Sequence, residues 1–218
     1  MQLRGKKVIF LGDSITEGCV TDSPEKIYHA VMKKDLGLAE ARNEGVSGTR
    51  IARQDGGLVE FREDFNKRYD RMNKDADVLF IFGGTNDFGH GTAKIGNIDD
   101  EDVYTFYGGL NTLLKKAVHD YGKNNVIVLT PMHRFTENNP RGDGSKEADG
   151  LLLIDYVNII KERARFFGVQ VIDLFSDERL NPNTPEGAKF SYDGLHPNNE
   201  GHNLLAKVIE ENLARLHE

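Results

Sequence analysis

The stretch Lys7-Val8-Ile9-Phe10-Leu11-Gly12-Asp13-Ser14 decides how the rest of the chain is read. Its apolar run is continuous rather than alternating, the pattern of a strand buried on both faces, and it stops abruptly at a glycine followed by two turn-forming polar residues. Working outward, Asp77 to Phe82, Asn125 to Thr130 and Val169 to Leu174 have the same character. A more polar stretch, Ala39 to Asn43, stands where an edge strand is expected. Helical patterns fill the intervals: Pro24 to Leu36, Asp55 to Asn73, Asp100 to Tyr121, Ala148 to Phe167 and Pro197 to Leu216. In the last, Leu204, Leu205, Val208, Ile209, Leu213 and Leu216 recur at helical spacing between charged residues. Strand and helix therefore alternate, which predicts an α/β fold, one domain over residues 1–218, with a parallel sheet covered on both sides.

Composition narrows the function classes. Of 218 residues, 28 are Lys or Arg and 35 are Asp or Glu, a formal net charge of −7, and 38% are hydrophobic. This is the balance of a globular domain with a core, and it gives no basic stripe for a phosphate backbone or an anionic membrane surface. A small neutral or weakly charged substrate is the expected partner. Cys19 is the one cysteine, so neither an intrachain disulfide framework nor a thiolate zinc cluster is available. The apolar run Val8 to Leu11 is too short for a signal-peptide core, and no segment has the length of a membrane span; the expected location is the cytoplasm. The segment Pro131 to Gly150 is long, polar and rich in Gly, Pro and Asn. It reads either as the rim of a site or as a variable surface excursion.

In an open parallel sheet, ligands bind beyond the carboxyl ends of the strands. There the chain carries Gly12-Asp13-Ser14, then Asn43-Glu44-Gly45-Val46-Ser47-Gly48, then Gly83-Gly84-Thr85-Asn86-Asp87, and near its end Asp193-Gly194-Leu195-His196-Pro197. A serine is a weak nucleophile until an imidazole accepts its proton and an acid orients that imidazole. Asp193 and His196, three residues apart in a tight turn, can supply the pair for Ser14, with Pro197 in the first turn of the closing helix. The backbone N–H groups of Ser14 and Gly45 and the side-chain amide of Asn86 are candidates for an oxyanion hole.

These four blocks, in this order, resemble the signature blocks of the SGNH hydrolases, also called GDSL esterases and lipases. The likeness runs over essentially the whole chain, and four motifs in register are far more specific than any one of them. It implies a three-layer α/β/α, flavodoxin-like fold with five parallel strands in the order 2-1-3-4-5. It also implies Ser14 as nucleophile, His196 and Asp193 as base and orienter, and Ser14, Gly45 and Asn86 as oxyanion donors. The expected activity is hydrolysis of small acyl esters, acetyl on a sugar among them, through an acyl-enzyme and without metal or organic cofactor. Lysophospholipase and thioesterase activities belong to the same family. A carbohydrate-binding protein without turnover and a flavodoxin-like nucleotide binder are the readings from other classes.

Structural explanations compete at each position. Alone, Ser14 reads as a turn or helix-capping serine. A phosphate-cradling loop at Gly12 to Gly18 lacks the Gly-Lys-Ser/Thr that such loops carry. Asp87 reads as a loop brace. His90 and His133 read as surface histidines before substrate contacts, and His202 as lying on another face of the helix that follows His196. Cys19 reads as a half-buried small side chain, Phe80, Phe82, Phe166 and Phe167 as core, and Glu60 to Lys74 as a solvated helical face. Oligomeric state is not legible.

Overall fold

A computed structural model describes residues 1–54, 63–146 and 150–215. Five parallel strands, β1 (Lys7–Gly12), β2 (Glu40–Gly45), β3 (Val78–Phe82), β4 (Val126–Leu129) and β5 (Gln170–Ile172), lie in the order β2-β1-β3-β4-β5. This is the expected order. Strands β3 and β4 are buried at every position, and side chains of the three inner strands alternate between two cores because successive residues point to opposite faces. Ile9, Leu11, Leu79, Ile81, Val126 and Val128 enter one core, and Val8, Phe10, Val78, Phe80, Ile127 and Leu129 the other. The Phe10 and Phe80 rings stack across β1 and β3 at 5.0 Å. Each such ring, fully removed from water, contributes roughly 2–3 kcal/mol.

Helices α2 (Tyr28–Leu36) and α7 (Asn199–Arg215) cover the second core, while α3 (Phe65–Arg71), α5 (Phe106–Tyr121) and α6 (Leu153–Phe167) cover the first. Two short helices, α1 (Ser14–Glu17) and α4 (Thr85–Gly89), sit directly beyond the carboxyl ends of β1 and β3. Among the described residues no helix is long and apolar enough to cross a membrane.

Several boundaries differ from the sequence reading, each for a local reason. Helix α5 begins at Phe106, not Asp100, because the Thr105 side chain accepts the Gly108 N–H and caps it. The closing helix begins at Asn199: Asn198 Oδ1 accepts the Gly201 N–H, so Pro197 and His196 lie in the turn before it. Pro24 to Lys26 form a separate 3-10 turn ahead of α2. The expected helix from Asp55 appears as α3 only, and its residues 55–62 lie outside the described residues, as do residues 147–149 and 216–218 of the other expected segments. Phe166 is not core. It is 68% exposed, with the Arg163 guanidinium 4.2 Å from its ring.

Candidate active site

The register of the sheet brings the motif blocks side by side. Gly12 pairs with Gly45 on β2 and with Phe82 on β3, so Ser14, Gly45 and Asn86 leave adjacent strand ends. Beyond Gly12, Asp13 caps α1 by accepting the Ile15 N–H at 3.0 Å, which places Ser14 as the first helical residue, 5% exposed. The chain from Tyr192 to His196 forms a turn closed by Tyr192 N–H to His196 O, 2.8 Å. Within it, Asp193 Oδ1 accepts the N–H groups of Leu195 and His196 at 3.0 and 2.8 Å. Its other oxygen accepts a hydrogen bond from His196 Nδ1–H at 2.8 Å, and His196 Nε2 lies 2.9 Å from Ser14 Oγ. The Asp193 carboxyl has competing influences: burial pushes its pKa up, but the backbone and ring N–H groups of His196 outweigh it and hold it below the ordinary value. Ser14, His196 and Asp193 thus form one continuous hydrogen-bonded line.

The oxyanion candidates are close to their expected places but engaged. Gly45 is the last residue of β2 rather than a loop residue, and its N–H donates to Asn43 Oδ1 at 2.8 Å. An oxyanion there would have to share or displace that acceptor. Asn86, on α4, donates Nδ2 to Thr49 O at 3.0 Å and holds His90 on its Oδ1 at 3.1 Å. Its neighbour Asp87 braces the 49–52 backbone, accepting the N–H groups of Ile51 and Ala52 at 3.0 and 2.9 Å, and burial pushes its pKa to about 6.

Asp13 shows the same burial penalty, its pKa pushed to about 6 from 3.8, opposed by the Ile15 N–H and by the charges of His196 and Arg68. Burial thus favours the protonated carboxyl in the folded state. That stabilisation is complete below pH ~4 and is lost as pH rises through 6. The variant Asp13→Asn retains an acceptor for Ile15 without the charge. It is expected to exceed wild type in urea-unfolding free energy by about 3 kcal/mol at pH 8, the difference shrinking as pH falls towards 4. A gain independent of pH would contradict this origin.

Three positions were not legible as site residues. Arg68, read as part of a solvated face, is buried and donates Nη1 to Gly12 O and Thr49 Oγ1, both at 2.8 Å, and Nη2 to Glu44 O. One guanidinium so ties the ends of β1 and β2 to the loop beneath Asn86. The available signal was spacing: Phe65, Arg68, Tyr69 and Met72 fall on one helical stripe, which is the buried one. His90, read as a surface histidine, binds Asn86. Arg134, in the polar segment after β4, is buried and donates to Thr85 O and Oγ1 at 3.2 Å while pairing with Asp143. Next to it, Phe135 N–H donates to Gly194 O at 2.8 Å, and the Phe135 ring occupies the space where a side chain at Gly194 would project. The segment therefore packs against both α4 and the His196 turn. His133 makes no contact of that kind and pairs with Glu137 at 2.9 Å.

Comparison with known proteins gives the family of the chain. The GDSL-like Lipase/Acylhydrolase family model matches residues 10–204. Among curated proteins none matches the chain. A crystal structure of a protein from Lactobacillus plantarum is 27% identical with a TM-score of 0.83, covering 97% of this chain and 98% of that one. The acetyl xylan esterase AlAXEase is 26% identical, with a TM-score of 0.63 over 94% and 98%. A lipase/acylhydrolase from Enterococcus faecalis, 23% identical over 95% of each chain with a TM-score of 0.66, shares the fold. With the family model spanning all four motif blocks, the chain belongs to the GDSL-like lipase/acylhydrolase family of the SGNH hydrolases and is a carboxylic ester hydrolase.

Proposed function

We propose that the protein hydrolyses small acyl esters, acetyl esters of carbohydrates in particular, with Ser14 as nucleophile. The observation that carries the reading is the unbroken line from Asp193 Oδ2 through His196 to Ser14 Oγ, with separations of 2.8 and 2.9 Å. As Ser14 Oγ attacks the ester carbonyl, His196 Nε2 takes its proton and Asp193 stabilises the imidazolium. The Ser14 and Gly45 N–H groups and the Asn86 amide receive the charge that develops on the carbonyl oxygen. His196 then protonates the departing alcohol, and in the second half accepts a proton from the water that releases the acid. Each step is carried by these side chains and backbone groups.

Two observations favour a short acyl group on a sugar. Among its described residues the segment after β4 is polar and rests on α4 and the His196 turn, with no long apolar cover for a fatty chain. Phe135 and Tyr192, 48% and 70% exposed, adjoin the Asp193–His196 turn and offer flat apolar rings on which a sugar face can rest. Similarity to an acetyl xylan esterase supports the same direction. The test is a series of p-nitrophenyl esters from acetate to palmitate together with acetylated xylo-oligosaccharides and lysophosphatidylcholine. The expected order is acetate over longer chains by about tenfold or more in kcat/KM, with acetate released from the sugar; preference for octanoate or the lysolipid would overturn the assignment.

A further inference from the structure

His90 and Arg50 are not among the groups that touch a reacting ester, yet their hydrogen bonds form a sequence with only one consistent set of protons. A guanidinium can only donate. Arg50 Nη1 lies 3.0 Å from His90 Nδ1, so Nδ1 must be the acceptor. A neutral imidazole with an accepting Nδ1 carries its proton on Nε2. That proton points to Asn86 at 3.1 Å, so the atom receiving it must be the carboxamide oxygen. The amide nitrogen is then held on the opposite side, where one of its hydrogens reaches Thr49 O at 3.0 Å and the second is left to donate elsewhere.

We infer that Arg50, acting through the His90 tautomer, fixes which end of the Asn86 carboxamide faces the site, making His90 and Arg50 positioning residues for the oxyanion donor. The inference rests on the reading of Asn86 as that donor. Its importance follows from the softness of the group it controls: the terminal torsion of asparagine is broad and roughly two-fold. A half-turn would offer a developing oxyanion a carbonyl oxygen in place of an N–H, turning attraction into repulsion. Thr49 O resists that half-turn from one side and His90 Nε2–H from the other. The His90 ring stays neutral because burial, and then the adjacent Arg50 charge, hold its pKa below the ordinary histidine value. Arg50 is itself fixed near this place: it is buried, within range of the Asp87 carboxylate, and its backbone bridges to Asp64. The sequence therefore uses an always-charged side chain to select a tautomer, and the tautomer to orient an amide.

The experiment is a double-mutant cycle on p-nitrophenyl acetate, with kcat and KM measured separately and folding checked by thermal melting. Asn86→Ala is expected to lower kcat by roughly 100-fold or more. His90→Phe, which keeps a ring but no donor, is expected to lower kcat by about tenfold with KM changed less than about twofold, because the lost orientation matters chiefly when charge develops. His90→Gln, with an N–H near the position of Nε2, should recover most of that loss. In the double variant, His90→Phe should cost nothing beyond Asn86→Ala, since there is no amide left to orient. If the Phe variant does not fold, His90→Asn, too short to reach Asn86, takes its place. Wild-type kcat in His90→Phe, a loss confined to KM, a Gln variant as slow as Phe, or additive losses in the double variant would each overturn the inference. The two levels separate cleanly: full activity in Asn86→Ala removes the oxyanion reading and this inference with it, whereas a slow Asn86→Ala beside a fast His90→Phe removes this inference alone.

Discussion

Ser14→Ala is expected to lower kcat for p-nitrophenyl acetate by roughly 10⁴-fold or more while KM moves only a few-fold. The reasoning is local. Ser14 Oγ donates to His196 Nε2 at 2.9 Å, and removing one oxygen from a residue that begins α1 leaves the Asp13 cap and the β1–β2 pairing in place. Substrate then meets the same walls and the same N–H donors but no nucleophile. Residual turnover reflects water attacking an ester held near those donors, a path that survives loss of a triad member in other serine hydrolases. The same substitution should abolish covalent labelling by a fluorophosphonate. Undiminished turnover in the alanine variant would end the assignment of Ser14, and with it the non-metal acyl-enzyme route.

Gly45→Ala is expected to be damaging by a different cause, in both rate and stability. A methyl group at residue 45 would stand 2.1 Å from Glu17 N and 2.5 Å from the Thr16 carbonyl carbon, both backbone atoms of α1. No rotamer change can relieve contact with a main chain. Either β2 slides away from β1, breaking a register that pairs Gly12 with Gly45, or α1 is pushed outward and takes Ser14 with it. Overpacking of this kind costs about 1–3 kcal/mol in stability. A displacement of Ser14 near 1 Å costs on the order of 100-fold in rate. Both quantities are measurable together, by urea unfolding and by kcat on the acetyl ester. A variant that melts like wild type and turns over within about threefold of it would show that the crowding is relieved cheaply, contrary to this account.

The sequence was most legible where chemistry and backbone geometry coincide. The buried strands announced themselves as continuous apolar runs, and the strand order followed from family resemblance. The edge strand β2 was faint because it is half-buried and spelled Glu-Ala-Arg-Asn-Glu-Gly, a polar composition that suits a sheet edge. Ser14, Asp193 and His196 were nameable from their motifs, and the structure brings them within hydrogen-bond distance. What stayed hidden was the support around them. Arg68 and Arg134 look like surface residues because arginine usually is one, and only their burial against backbone carbonyls and a loop carboxylate shows them as organisers. His90 was hidden because its significance lies in a tautomer dictated by Arg50, a residue 40 positions away. Motifs record the groups that touch a substrate; they do not record the groups that aim them.

The 182 positions from Ser14 to His196 have a consequence for the life of the chain before it is folded. On the proposed reading, the nucleophile leaves the ribosome 182 positions ahead of the base. A serine exposed on a nascent chain is then an ordinary alcohol, inert until the turn preceding α7 docks beside it. Esterase activity is for that reason a late and stringent signal: it reports that two stretches far apart in the chain have met, and products that stop short of His196 remain chemically silent whatever their content of helix and strand.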